Sequence, residues 1–244
     1  MTSDQLFHTD ADGESAAFVD VIDEGLEGDL DDRIPALRAL LADGTDDERL
    51  QAGIMLASWG DEAGLRALID WADEPDTSPV DEFGALADAL RAARLSSRTD
   101  ATEALRADAY RALLAIAADV DFGRDLGYAL VADTRVRALV AGDVEAAAER
   151  AIGRLEDGDE PEFDLATQAA GLLVSLAKES DDAAAGFAER LRELAPKDPR
   201  VLRDLIDALG AGSGEATLAV LRRIAKVKAV RDDADAALAR RARA

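Results

Sequence analysis

The feature that most constrains this chain is the spacing of its apolar residues. From Glu14 onward they return every three or four positions in short runs, each stopped by Gly, Asp or Pro. That is the 3.6-residue period of an amphipathic helix, and no segment alternates with the two-residue period of a half-buried strand. Phe18, Val19, Ile22 and Leu26 predict a short helix ended by Gly28. The following runs predict helices over about residues 31–43, 47–59, 62–73, 82–94, 101–118, 122–132, 135–156, 163–178, 182–194, 199–210 and 215–241, the last with a break near Asp232. Much of the 48% hydrophobic content is Ala and aromatics are only 4%, which suits closely packed helices better than a β-sandwich. The expected fold class is all-α, with about eleven helices in either a bundle or a solenoid of stacked pairs.

Internal similarity favours the solenoid. Shifting the chain by 60 residues lays Ile54-Met55-Leu56-Ala57 over Leu114-Ala115-Ile116-Ala117, and that over Val174-Ser175-Leu176-Ala177. Each block is followed by an acidic turn and a new helix, beginning at Asp61, Asp121 and Asp181. Residues 34–73, "IPALRALLADGTDDERLQAGIMLASWGDEAGLRALIDWAD", resemble a HEAT-type repeat, including the PBS-lyase HEAT-like variety. The matching features are Pro35 and Leu37 in the first helix, Leu40 and Leu41 before the turn at Asp43, Arg49, Ala52 and Leu56 in the second helix, and Gly60 at its end. The resemblance implies helix pairs stacked into a right-handed α-helical solenoid of HEAT-like or armadillo type.

The local chemistry of that window is consistent with a helix pair. Asp46 is placed to cap a helix starting near Asp47, and Asp47 and Glu48 put negative charge where the helix dipole favours it. Leu50, Ile54 and Ala57 form one apolar line that must be covered by a neighbouring element. In HEAT-like stacks the second helix of each pair lines a concave face, and in the 60-residue register this places Glu48, Gln51, Met55 and Ser58, then Asp108 and Arg111, then Gln168, Ser175 and Lys178 on that face. Glu48, Gln51, Ser58, Asp108, Arg111, Gln168 and Lys178 are the candidate protein-binding residues.

Charge narrows the partner. The net charge is -24, with 52 acidic and 28 basic side chains. Residues 222–244 run the other way, with three acids and eight bases. So acidic a body repels phosphate backbones, which sets nucleic acid aside and favours a protein or peptide partner with basic surface. Arg outnumbers Lys 24 to 4, and the carboxylate excess suits a high-salt interior as well as a basic partner. No apolar run reaches the length of a membrane span, and the N-terminus lacks the basic and apolar regions of a signal peptide, so the expected location is the cytoplasm.

Catalytic signals are weak. There is no cysteine, which removes thiolate nucleophiles, disulfides and thiolate metal sites. His8 is the only histidine and falls in a segment read as a mobile acidic leader, residues 1–12. "HTDADGE" places Asp10, Asp12 and Gly13 as a calcium loop would, yet His8 and Val19 occupy its first and twelfth positions, where acids are needed. Phosphate-binding GxxxxGK[ST] is absent, and Trp59, Trp71, Tyr110 and Tyr128 read as packing residues. The expectation is therefore a leader over residues 1–12 and one HEAT-like solenoid over residues 13–244. A basic capping helix closes it at about residues 215–244. Its function is read as non-catalytic, a protein–protein scaffold or adaptor with no cofactor and no metal. Two alternatives stand beside it: an acidic neutralising partner of a basic protein, such as an immunity-like inhibitor or nucleic-acid mimic, and a PBS-lyase-like enzyme using carboxylates on the concave face.

Overall fold

A computed structural model describes residues 1–26, 30–75, 84–95 and 100–243. The expected helix stop at Gly28 and the expected helical positions 82 and 83 lie outside the described residues. Among the described residues there are fifteen α-helices and two 3-10 turns, and the one extended pairing is an isolated bridge between Thr9 and Ser15. The protein is all-α, built from short helices packed pairwise. None of the described helices is long and apolar enough to cross a membrane. The chain divides into two compact units, Met1–Leu113 and Leu114–Ala244.

The first unit contains α1 (Ser3–His8), α2 (Phe18–Leu26), α3 (Ile34–Asp43), α4 (Asp46–Ser58), α5 (Glu62–Asp73), α6 (Gly84–Ala93) and most of α7 (Glu103–Ile116), which runs across the division. Its centre is α4, which packs against α1, α2, α3, α5 and α6. Residues 52–58 of α4 are all buried, as expected of a helix packed against several others. The start of α4 differs from expectation by one residue. Thr45, not Asp46, is the N-cap: its hydroxyl accepts from the Glu48 N–H, and the Glu48 carboxylate accepts from the Thr45 N–H at 3.0 Å.

Residues 1–12, expected to be loose, contain α1. It is opened by a second capping box between Thr2 and Gln5, with Leu6 and Phe7 buried. The Arg33 guanidinium, itself buried, donates to the carbonyls of Leu6 at 3.2 Å, Thr9 at 2.6 Å and Asp10 at 2.8 Å, which satisfies acceptors just where α1 runs out of helical donors. His8 packs edge-on near Phe7 and lies 6.4 Å from the Phe18 ring, so it belongs to a small aromatic cluster.

The second unit contains α8 (Asp125–Ala132), α9 (Thr134–Leu139), α10 (Ala141–Glu156), α11 (Leu165–Glu179), α12 (Asp181–Leu194), α13 (Pro199–Ala211), α14 (Glu215–Ile224) and α15 (Arg231–Arg241). Its centre is α11, packed against α8, α9, α10, α12 and α13, with residues 168–177 all buried. The backbones of α8 and α11 cross at Gly127 and Gly171, where a Cβ on Gly127 would stand 2.0 Å from the Gly171 carbonyl oxygen. The first and third blocks of the 60-residue register, Ile54-Met55-Leu56-Ala57 and Val174-Ser175-Leu176-Ala177, are thus the cores of the two central helices.

Two long helical runs are interrupted. The run expected over 135–156 stops at Leu139 and restarts at Ala141, and the run over 215–241 stops at Ile224, passes through a 3-10 turn at Lys228–Val230 and resumes at Arg231. The basic tail is held by burial of Val230, Ala234 and Ala237 and by Arg241, which donates to the carbonyls of Leu209 and Gly214 and to the Thr217 hydroxyl.

Candidate protein-binding groove

The seven residues expected to form one contact face divide into different roles. Ser58 and Gln168 are each only 1% exposed, so they are corrected from surface to interior. The Ser58 hydroxyl donates to the Ile54 carbonyl one turn back. The Gln168 amide donates to the carbonyls of Ala117 and Val120, and its oxygen accepts from the Phe122 N–H at 2.6 Å, so it ties the turn before α8 to the centre of its unit. Glu48 is engaged in capping α4. Its carboxyl is held below the usual range, first by the Thr45 backbone N–H, then by the Ser3 and Thr45 hydroxyls. Gln51 is half-buried, Asp108 and Arg111 pair with each other at 2.8 Å on α7, and Lys178 is exposed near the end of α11. Met55 and Ser175, on the same expected stripe, are also buried.

A surface that could receive a partner lies instead over the α4–α5 hairpin. Gly60 adopts a left-handed conformation, φ 69°, and turns the chain between the two helices. Asp61 then caps α5 by accepting from the Ala63 N–H. Arg38 of α3 reaches the buried Asp61 carboxylate with two hydrogen bonds, of 2.6 and 3.3 Å, and so fixes α3 against the hairpin. A Cβ on Gly64 would stand 2.2 Å from the Ala57 nitrogen, and one on Gly53 would stand 3.3 Å from the Ala67 Cβ, so small residues let the antiparallel helices approach closely.

That close approach leaves an open groove of about 650 Å³ on one side of the pair. Its floor is apolar: Leu41 from α3, Leu50 and Gly53 from α4, and Ala63, Ala67 and Trp71 from α5. Asp46 and Asp47 from the start of α4, with Asp70 and Glu74 from the end of α5, line the same groove. Because Gly53 faces Ala67 and Ala57 faces Gly64, the antiparallel register brings these four carboxylates toward the same end, away from the Gly60 turn.

The two cations on the rim are already engaged, Arg49 with Asp46 and Arg66 with Glu62 at 3.6 Å. Among the described residues Asp47, Asp70 and Glu74 have no ion-pair partner. Asp46, Asp47 and Glu48 sit at the N-terminus of α4, where the helix dipole favours carboxylates. Asp70 and Asp73, with Glu74 just beyond, sit at the opposite kind of end: the last turn of α5 carries no basic residue, although that terminus favours a cation.

Residues 1–113 carry 27 carboxylates against nine Arg and no Lys, and residues 114–244 carry 25 against 19 Lys and Arg. The groove therefore belongs to the unit with most of the net negative charge. Among the described residues no group of three His, Cys, Asp or Glu side chains could hold a metal ion. The carboxyls of Glu48, Glu149, Glu156, Asp181 and Asp198 are each displaced downward. For Glu149 and Glu156 the main cause is the Arg190 guanidinium that bridges them.

Comparison with protein-family models, with curated proteins and with solved structures finds no match for this chain.

The groove was only partly legible beforehand. Leu41 and the neighbouring α4–α5 residues fall in the HEAT-like window, whereas the expected contact stripe is interior at Met55, Ser58, Gln168 and Ser175. Thr45-x-x-Glu48 and Thr2-x-x-Gln5 were available as capping signals for α4 and α1.

Proposed function

We propose that this protein is a non-catalytic interaction scaffold of HEAT-like helix pairs, acting in the cytoplasm, and that the groove over α3, α4 and α5 is where it holds a protein partner. The observation that carries this reading is the apolar groove floor to which the half-buried Leu50, Ala67 and Trp71 contribute. A concave surface with an apolar base and a polar edge is the usual form of a binding site in a helical protein. Its lining supplies apolar contact and charge.

The strongly acidic first unit also supports a narrower version, in which the protein neutralises a basic partner. The test is a photo-crosslinking amino acid placed at Ala63 on the floor, compared with one at Lys178 on α11. A discrete crosslinked protein from Ala63 alone, lost when Ala67→Trp fills the floor, supports the reading. Equal crosslinking from both positions, or crosslinking unaffected by the filled floor, removes the groove as the contact site.

A further inference from the structure

We propose that the groove takes an amphipathic α-helix from a partner protein, with aliphatic or aromatic anchors on the floor and Lys or Arg side chains at the carboxylate-rich end. This rests on the groove being the contact site, and it adds the chemistry of the occupant.

Length argues for a short helix. The α4 lining spans residues 46–53 and the α5 lining spans residues 63–74, so at 1.5 Å per residue the walls run about 10 and 16 Å. Two to three turns of a docked helix match that length and present anchors at i, i+3 or i+4, and i+7 along one stripe. The floor is built for protruding anchors because Gly53, Ala63 and Ala67 contribute almost no side-chain volume of their own.

Charge argues for cations. At the open end Asp47, Asp70 and Glu74 face the groove without basic partners among the described residues, and both Arg residues on the rim are engaged. The end of α5 adds its own negative pole, reinforced by Asp73 rather than offset. An incoming ammonium or guanidinium supplies the charge that this helix end lacks, beside an apolar floor where salt screens less than at an open surface. Anionic occupants such as nucleic acid or an acidic membrane surface meet the same carboxylates as repulsion.

The two tryptophans make the test direct. Trp71 lines the groove, whereas Trp59 is only 1% exposed within the core. With 5-fluorotryptophan in the full chain, ¹⁹F NMR follows each ring during titration with synthetic helices of about fourteen residues, long enough to span the groove. One peptide carries a Leu stripe and Lys on its polar face, a second replaces Lys with Ser and Gln, and a third keeps the Lys residues but scatters the Leu stripe. The expected result is movement of the Trp71 resonance only, with the Lys-bearing amphipathic peptide binding about tenfold more tightly than either of the others. Asp47→Arg with Asp70→Arg weakens it by about tenfold, while Asp20→Arg with Asp23→Arg on α2, the same change in net charge, alters it by about twofold at most.

Equal binding of the neutral peptide would overturn the cationic occupant and leave the groove standing as an apolar site. Equal binding of the scattered peptide, or equal loss in the α2 control, would reduce the attraction to bulk charge and end the proposal. If no peptide moves Trp71 the proposal also fails, and the crosslink from Ala63 decides separately whether the groove is a contact site.

Discussion

The Trp59 ring fills the space beside Gly25 so closely that a Cβ at residue 25 would lie 2.0 Å from it, and the indole N–H donates to the Ile22 carbonyl at 2.9 Å. One side chain thus fastens α2 to the end of the central helix of its unit. Gly25→Ala forces the ring or α2 to shift, at a cost of about 1–3 kcal/mol. Urea denaturation should show a lower midpoint with the same slope. An unchanged midpoint would mean the ring moves freely, and the contact would lose its structural weight.

Gln168 offers a sharper test in the second unit. Its amide supplies donors to Ala117 and Val120 and accepts from Phe122, all in a buried setting. Gln168→Leu keeps similar bulk and removes every partner, so orphaned buried groups should lower stability by about 3 kcal/mol. Amide exchange at Phe122 should accelerate ahead of the rest of α11. Exchange that stays slow would show that another acceptor replaces the glutamine.

Asp181 begins α12 yet caps α14, accepting from the Ala216 N–H at 2.7 Å and from the Thr217 hydroxyl, while α14 has only Gly214 at its own N-cap. Burial pushes the Asp181 carboxyl up, but the Thr217 hydroxyl and the Ala216 and Thr217 N–H groups, with Arg241 nearby, outweigh it and the net displacement is downward. A folded pKa below the unfolded one gives stability that is present above the unfolded value of about 3.9 and is lost as pH falls through the folded value. Asp181→Asn should therefore be less stable than the parent at pH 7, by about 1–2 kcal/mol. The gap should close below about pH 4. A gap that persists undiminished at acid pH would contradict a charge-dependent cap.

Salt should act unequally on the two units. With 27 carboxylates against nine Arg, residues 1–113 repel themselves more than residues 114–244 do, and added salt screens that repulsion within about 10 Å at 0.1 M. Hydrogen exchange in α4 should slow with rising salt more than exchange in α11. Equal slowing in both would place the salt effect elsewhere than in net charge.

The helices were legible because their apolar spacing is local information, and most boundaries fall within two or three residues of the pattern. What failed depended on neighbours. The break at Val140 divides a run that reads as continuous, and the run over 215–241, expected to break near Asp232, already leaves α-helix at Ile224 and resumes at Arg231, with Val230 drawn into the core between them. In α4 and α11 the Ala-rich pattern has little contrast between faces, so Ser58 and Gln168 read as exterior although both are surrounded. Which apolar stripe lines a groove is likewise decided by packing: Leu50 and Trp71 resemble core residues in spacing, and the arrangement of α3, α4 and α5 leaves them half-buried along the groove.

Arg33 grips three backbone oxygens that have neither formal charge nor a proton to gain in the working range of pH. In a molecule many of whose other arginines are matched to carboxylates, this clasp on the N-terminal helix has no acid partner among the described residues and little to lose to counterions. It should keep the first residues fastened in acid or concentrated electrolyte, where the pairings around Arg49 and Arg190 have already loosened.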